Sequence, residues 1–319
     1  MSPRRREGLL AGALAALAAV VSGCGLGAGK APGGVQLLVT RDFGAVTIDA
    51  AGAPKLRGQE TAMSLLRRNV RVSTRYGGAF VQGIDGLEGG HEGGSPVDWF
   101  YYVNGVEASE GAATTTVHPG DRIWWDRHDW SQTDDVPAVV GSFPEPFLHG
   151  LGGKRLPVRV ECAQAGGEAC TTVTKRLRAQ GVPAAVSALG GAAGATQTLR
   201  VAVGTWHELA AEPALATLRE GPRANGVYAR FQRGGGSLAL LDADGRVTQT
   251  LAAGSGLIAA TRGAAGPGGS VPLWAVTGTD AAGVDAASRA FAAGTLRDRF
   301  AVAVTPAGAA LALPTRPGA

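Results

Sequence analysis

The chain has 319 residues, 45% of them hydrophobic and 18% charged, with 6 Trp, a composition that folds and excludes a disordered polypeptide. Its 50 Gly and 17 Pro predict long loops between the elements. The formal net charge of +4 falls to +2 once Arg4, Arg5, Arg6 and Glu7 of a predicted export signal are removed, which argues against nucleic-acid binding through a basic face.

Residues 1–23 read as that signal. Arg4-Arg5-Arg6 make a basic start, residues 9–21 an apolar stretch too short to cross a bilayer as a helix, and Ser22-Gly23 place small residues before Cys24. Val21-Ser22-Gly23-Cys24 resembles the bacterial lipobox, whose cysteine takes a diacylglycerol on its sulfur and becomes the mature N-terminus. The resemblance implies a lipoprotein with acyl chains such as palmitate, held by Cys24 at the outer face of the bacterial cell membrane, with residues 24–34 as a tether. An ordinary secretory signal with an incidental cysteine is the alternative; the arginine run fits twin-arginine export poorly. With Cys24 lipidated, Cys162 and Cys170 remain on either side of a Gly166-Gly167 turn, and an oxidising compartment favours a disulfide between them. The rival reading, a Cys-Cys metal site, lacks a nearby His or further Cys.

The first domain is expected over residues 35–130. A hairpin of residues 36–40 and 45–48 leads to a short helix over 61–68, capped by Thr61, and a strand over 70–74, an order that predicts a β-grasp-like α+β domain. An aromatic strand and a last strand over 121–126 close it. The run Trp99-Phe100-Tyr101-Tyr102-Val103-Asn104-Gly105-Val106, then Gly111 and His118-Pro119-Gly120-Asp121-Arg122-Ile123-Trp124-Trp125, resembles an uncharacterised domain family related to the C-terminal β-domain of transcobalamin and intrinsic factor. The resemblance covers about a third of the chain. It implies cobalamin as a bound ligand, although nothing in the chain resembles the helical barrel that holds the vitamin in those carriers.

The same residues carry a reading of their own. Strand alternation puts Trp99, Tyr101 and Val103 on one face and Phe100, Tyr102 and Asn104 on the other, predicting one buried aromatic set and one near the surface. Tyr102, Asn104, Trp124, Asp126, His128 and Trp130 are therefore candidate ligand residues, with rings to stack a flat ligand and an imidazole to meet a metal centre such as cobalt. Cross-strand packing explains the same aromatics, turns explain Asn104-Gly105 and Gly120-Asp121, and a solvated strand end explains Asp126-Arg127-His128-Asp129 without a bound metal.

Residues 131–156, with Pro137, Pro144 and Pro146, read as an extended linker lying against the first domain through Phe143 and Phe147. A mixed α/β domain follows over 157–313, with a tail at 314–319. Helices are expected over 170–180, 207–219 and 281–291, antiparallel strands over 226–233, 237–242 and 246–251, and parallel strands over 199–203 and 273–276. The two strand-Gly-Thr-helix junctions, at Gly204-Thr205 and at Thr277-Gly278-Thr279-Asp280, suggest a repeated βα unit on a largely parallel sheet. Thr277, Gly278 and Thr279 are candidates for anion binding at a helix start, and helix capping by Thr and Asp is the competing explanation. No phosphate-loop, zinc-protease or nucleophile-elbow motif occurs after the signal, and none of the five His has a nucleophile beside it in sequence. The combined expectation is a non-enzymatic, membrane-anchored ligand-binding protein working beside an importer, with a cell-envelope interaction module as the alternative; an enzyme with its site at the ends of the parallel strands is the weakest reading.

Overall fold

The computed structural model describes residues 34–316 except 53, 193, 267 and 268; the predicted signal, residues 1–23, and Cys24 lie outside the described residues. Strands β1 (Gln36–Arg41) and β2 (Val46–Gly52) form the expected hairpin. Helix α1 (Ala62–Asn69) starts where Thr61 Oγ1 accepts the Ser64 N–H at 3.2 Å and Ser64 Oγ accepts the Thr61 N–H at 2.8 Å, a reciprocal cap. It buries Ala62, Met63, Leu65 and Leu66 on one face and ends with Arg67 and Arg68 at its negative pole.

Strands β3 (Val72–Arg75), β4 (Phe80–Ile84) and β5 (Leu87–Glu88) make a small antiparallel sheet. The larger sheet adds β6 (Gly90–Glu92), β7 (Ser95–Val103), β8 (Val106–Glu107) and β9 (Arg122–Asp129) in the order β2-β1-β9-β7-β6, with β8 on β7. At its centre β1 runs parallel to β9, and β7 pairs antiparallel to β9.

The second half opens with β10 (Val158–Cys162), α2 (Glu168–Ala179), β11 (Ala184–Ala188) and β12 (Leu199–Thr205). The disulfide forms between Cys162 and Cys170, with Cα atoms 5.9 Å apart, and ties the end of β10 to the first turn of α2. Where one helix is expected over 207–219, the chain makes α3 (Trp206–Leu209), α4 (Pro213–Ala216) and a 3-10 turn, with α5 (Pro222–Asn225) next. Pro213 is the reason: lacking an N–H, it can open a helix and cannot continue one.

The expected meander is present as β13 (Ala229–Phe231), β14 (Leu238–Leu241) and β15 (Val247–Leu251). Two long strands, β16 (Gly256–Gly266) and β17 (Gly269–Gly278), lead to α6 (Ala281–Ala290), α7 (Ala293–Leu296), β18 (Ala301–Val304) and β19 (Ala310–Leu313). The main sheet of this half runs β11-β10-β12-β17-β16-β18-β19. Its first four strands are mutually parallel and the other three extend it antiparallel. The fold is mixed α/β, with four sheets and seven α-helices among the described residues.

Three apolar cores follow from strand alternation. One lies between α1 and one face of the first large sheet, through Leu65, Leu66, Tyr101, Ile123 and Trp125. A second packs α2 and α6 on one face of the seven-stranded sheet, through Val173, Val201, Trp274 and Phe291. The third is shared: Leu38, Phe43, Tyr102 and Trp124 of the first half meet Ala202, Tyr228, Leu257 and Phe300 of the second. Residues 131–156 are built into these cores. Val136 and Val139 enter the shared one, whereas Phe143 and Phe147, expected against the first domain, pack on the second sheet, with Phe147 4.9 Å from Trp274 and Phe143 4.9 Å from Phe291 between ring centres.

Candidate functional site

The predicted ligand face is closed. Tyr102, Asn104, Trp124 and Asp126 are fully buried and His128 is 2% exposed. Tyr102 and Trp124 sit opposite each other on β7 and β9, as the alternation requires. Phe300 stands edge-on to Trp124 at 5.3 Å, Tyr102 at 5.5 Å and His128 at 5.4 Å, and Phe43 separates His128 from Tyr228. A stacking platform expected near the surface is thus an internal layer, because residues far along the chain cover it. Burial pushes the Tyr102 phenol well above its ordinary range.

Asp126 and His128 are brought together, and each has structural partners. The Asp126 carboxylate accepts from the Phe43 N–H at 3.0 Å, the Gly44 N–H at 2.8 Å and the Thr40 hydroxyl, and lies 2.8 Å from His128 Nδ1. Those bonds hold the β1–β2 turn, in which Asp42, Phe43 and Gly44 all have positive φ. Gly44 is required there: a Cβ would lie 2.8 Å from the Trp124 ring. The His128 ring is stacked between Phe43 at 4.5 Å and Phe100 at 4.4 Å. Asn104 donates to Asp121 Oδ1 at 2.8 Å and to the Gly150 carbonyl at 2.9 Å and accepts the Arg122 N–H at 2.8 Å, so it closes the turn and ties it to the segment before β10.

The Gly-Thr junctions cap and pack. Thr205 caps α3 in a reciprocal bond with Glu208, and Asp280 caps α6 by accepting the Gly283 N–H at 2.9 Å. Thr277 is fully buried, the Thr279 N–H donates to the Ser255 carbonyl at 2.9 Å, and Gly278 lies where a Cβ would collide with Gly283 of α6. Between the diverging connections of β10 and β12 there is a crevice of about 70 Å³, whose lining includes Gln164, Glu168, Thr205, Glu208 and Asp285.

Of the predicted ligand residues, Trp130 is the one that reaches an open cavity. This groove, about 380 Å³, lies beside β7 and the loop after β8. Its lining includes the aromatic residues Phe80, Trp99, Phe100, Tyr101, Trp125 and Trp130, of which Phe80 is exposed and Trp99, Tyr101 and Trp125 are buried behind the surface, and the acidic residues Asp98, Glu107, Glu110 and Asp134. Tyr101 and Trp125 stack at 4.7 Å, and the Tyr101 hydroxyl donates to the Glu110 carbonyl at 2.6 Å, fixing one wall. Trp99 Nε1 donates to the Leu87 carbonyl at 3.0 Å.

Two of the carboxyls are perturbed. Burial raises Asp98 above its ordinary range, opposed by the Trp130 indole and Arg127. Burial, reinforced by Asp135, pushes Glu107 up to about 8, although its Oε2 accepts the Val136 N–H at 2.8 Å. A second groove of about 540 Å³, which also reaches His118 and Arg262, shares Glu107, Ala108 and Glu110 with the first. Sequence reasoning missed Phe80, Asp98, Glu107, Glu110 and Asp134, whose spacing carries no period; the one local signal is the Tyr76-Gly77-Gly78-Ala79-Phe80 turn, with two aromatics at a hairpin tip.

A family profile described as a domain of unknown function (DUF4430) matches residues 59–129, from the approach to α1 to the end of β9. Most of the groove's lining falls within that span, with Trp130 and Asp134 just after it. No curated protein and no solved structure matches the chain.

Proposed function

We propose that this is a non-enzymatic binding protein, anchored through a lipidated Cys24 at the outer face of the membrane, and that its ligand site is the aromatic groove beside β7. The observation that carries the reading is the groove itself: an open concave site of ligand size, ring-lined, with a few convergent polar groups of which two are perturbed. The β-grasp reading of the first half is part of the proposal. Its support is the order hairpin, helix, then a last strand parallel to the first at the sheet's centre.

Cobalamin, the ligand implied by the resemblance to the transcobalamin-related family, is the first compound to test, and an importer in the same membrane is the partner that such a role implies. Saturable binding, followed by heat and by the corrin spectrum and weakened by Trp130→Ala, supports a cobalamin-capturing lipoprotein. Absence of binding at about tens of micromolar removes cobalamin and leaves the groove to another ligand. A second reading, an envelope interaction module, is favoured by the closure of the Tyr102, Trp124 and His128 face. Copurification of an envelope protein from crosslinked cells, lost on Tyr76→Ala, distinguishes it.

A further inference from the structure

Four carboxyls line the groove, and no Lys, Arg or His is among its lining residues. The basic groups that face Asp98 are Arg127, Arg75 and His91, outside the lining. Arg127 is committed to Glu92 Oε2 at 2.6 Å and to the Glu88 carbonyl at 2.8 Å. Arg262, the basic group facing Glu107, is paired with Asp135.

The walls between these carboxyls are aromatic. Phe80 is 37% exposed at the groove, and Tyr76, 82% exposed, stands edge-on to it at 6.2 Å on a backbone with φ +51° that non-glycine residues seldom adopt. Trp125 is 2% exposed, and its buried Nε1–H has no partner among the described residues, a donor left over in the lining.

Ring faces attract positive charge, and the half-buried Asp98 carboxylate, with the exposed Glu110 and Asp134 beside it and no basic residue in the lining, calls for it. A bare metal ion would leave the rings unused, and a neutral ligand would leave the carboxylates uncompensated. On the reading that the groove is a ligand site, we propose that it takes an organic cation: a small ammonium compound whose charge is held by Asp98, Glu110 and Asp134 and whose apolar groups lie on Phe80 and Trp130.

The test titrates the full chain with choline and with its uncharged isostere 3,3-dimethylbutan-1-ol, read by tryptophan fluorescence and saturation-transfer NMR. Choline is expected to bind about tenfold more tightly than the alcohol. The double variant Asp98→Asn, Asp134→Asn should remove most of that preference with an unchanged near-ultraviolet circular dichroism spectrum, and Phe80→Ala should weaken both compounds by about threefold or more. Equal affinity for the two, still sensitive to Phe80→Ala, overturns the cation assignment and leaves a ligand groove standing. Binding indifferent to Phe80→Ala and to the double variant places the ligand elsewhere and removes the groove reading too. No choline binding at about 10 mM overturns the cation assignment outright.

Discussion

Replacing Glu107 by glutamine removes a carboxyl that the fold keeps protonated at neutral pH. In the unfolded chain Glu107 titrates at its ordinary 4.5, and in the folded protein at about 8. Between those values the folded state holds a proton that the unfolded state has released, so the contribution of Glu107 to stability declines as pH rises and is lowest above pH 8. At about 1.36 kcal/mol per pH unit, the full penalty reaches about 5 kcal/mol, an upper bound.

Glutamine keeps an oxygen for the Val136 N–H and cannot ionise. The expected result is a variant within about 1 kcal/mol of the parent at pH 5 and several kcal/mol more stable at pH 8.5. Urea unfolding followed by tryptophan fluorescence at both values measures it, and subtracting parent from variant cancels the titrating groups that do not interact with Glu107. An equal difference at both pH values, or a glutamine variant that is the less stable at pH 8.5, would refute the claim that burial and Asp135 hold this proton.

Three further outcomes follow from the packing. Phe300→Ala empties the centre of the shared aromatic layer and should cost about 3–5 kcal/mol in urea unfolding, in a single transition for the two halves that share that core. Gly283→Ala should lower the melting temperature, although alanine is the better helix former by about 1 kcal/mol, because its Cβ would strike the Ser255 carbonyl. Replacing Cys162 and Cys170 together by serine reopens a loop of sequence separation 8 and should cost about 2.5 kcal/mol, visible as a lower urea midpoint and absent when both proteins are fully reduced.

How much was legible in the chain depends on how far apart the determining residues lie. Thr61 as the cap of α1, the β1–β2 hairpin, the meander of β13 to β15 and the Cys162–Cys170 bond are all set within a few residues, and local pattern revealed them. The 207–219 segment shows a local signal that was outweighed: an apolar period suggested one helix, and Pro213 divided it. Strand β16 escaped because it is buried on both faces, Leu257 and Ala259 in the shared core and Ile258 and Ala260 in the second, so its sequence shows no alternation.

By itself the sequence determined which residues share a face: alternation along β7 and β9 separates Trp99, Tyr101 and Trp125 from Tyr102, Trp124 and His128, whatever surrounds them. Only the tertiary structure decided what each face meets. Phe300 and Tyr228 covered the second set, while Phe80, Glu107 and Asp134 left a groove beside the first. The physical reason is that periodicity is a property of one strand, whereas burial, and with it the protonation of Glu107, is set by atoms brought in from elsewhere along the chain.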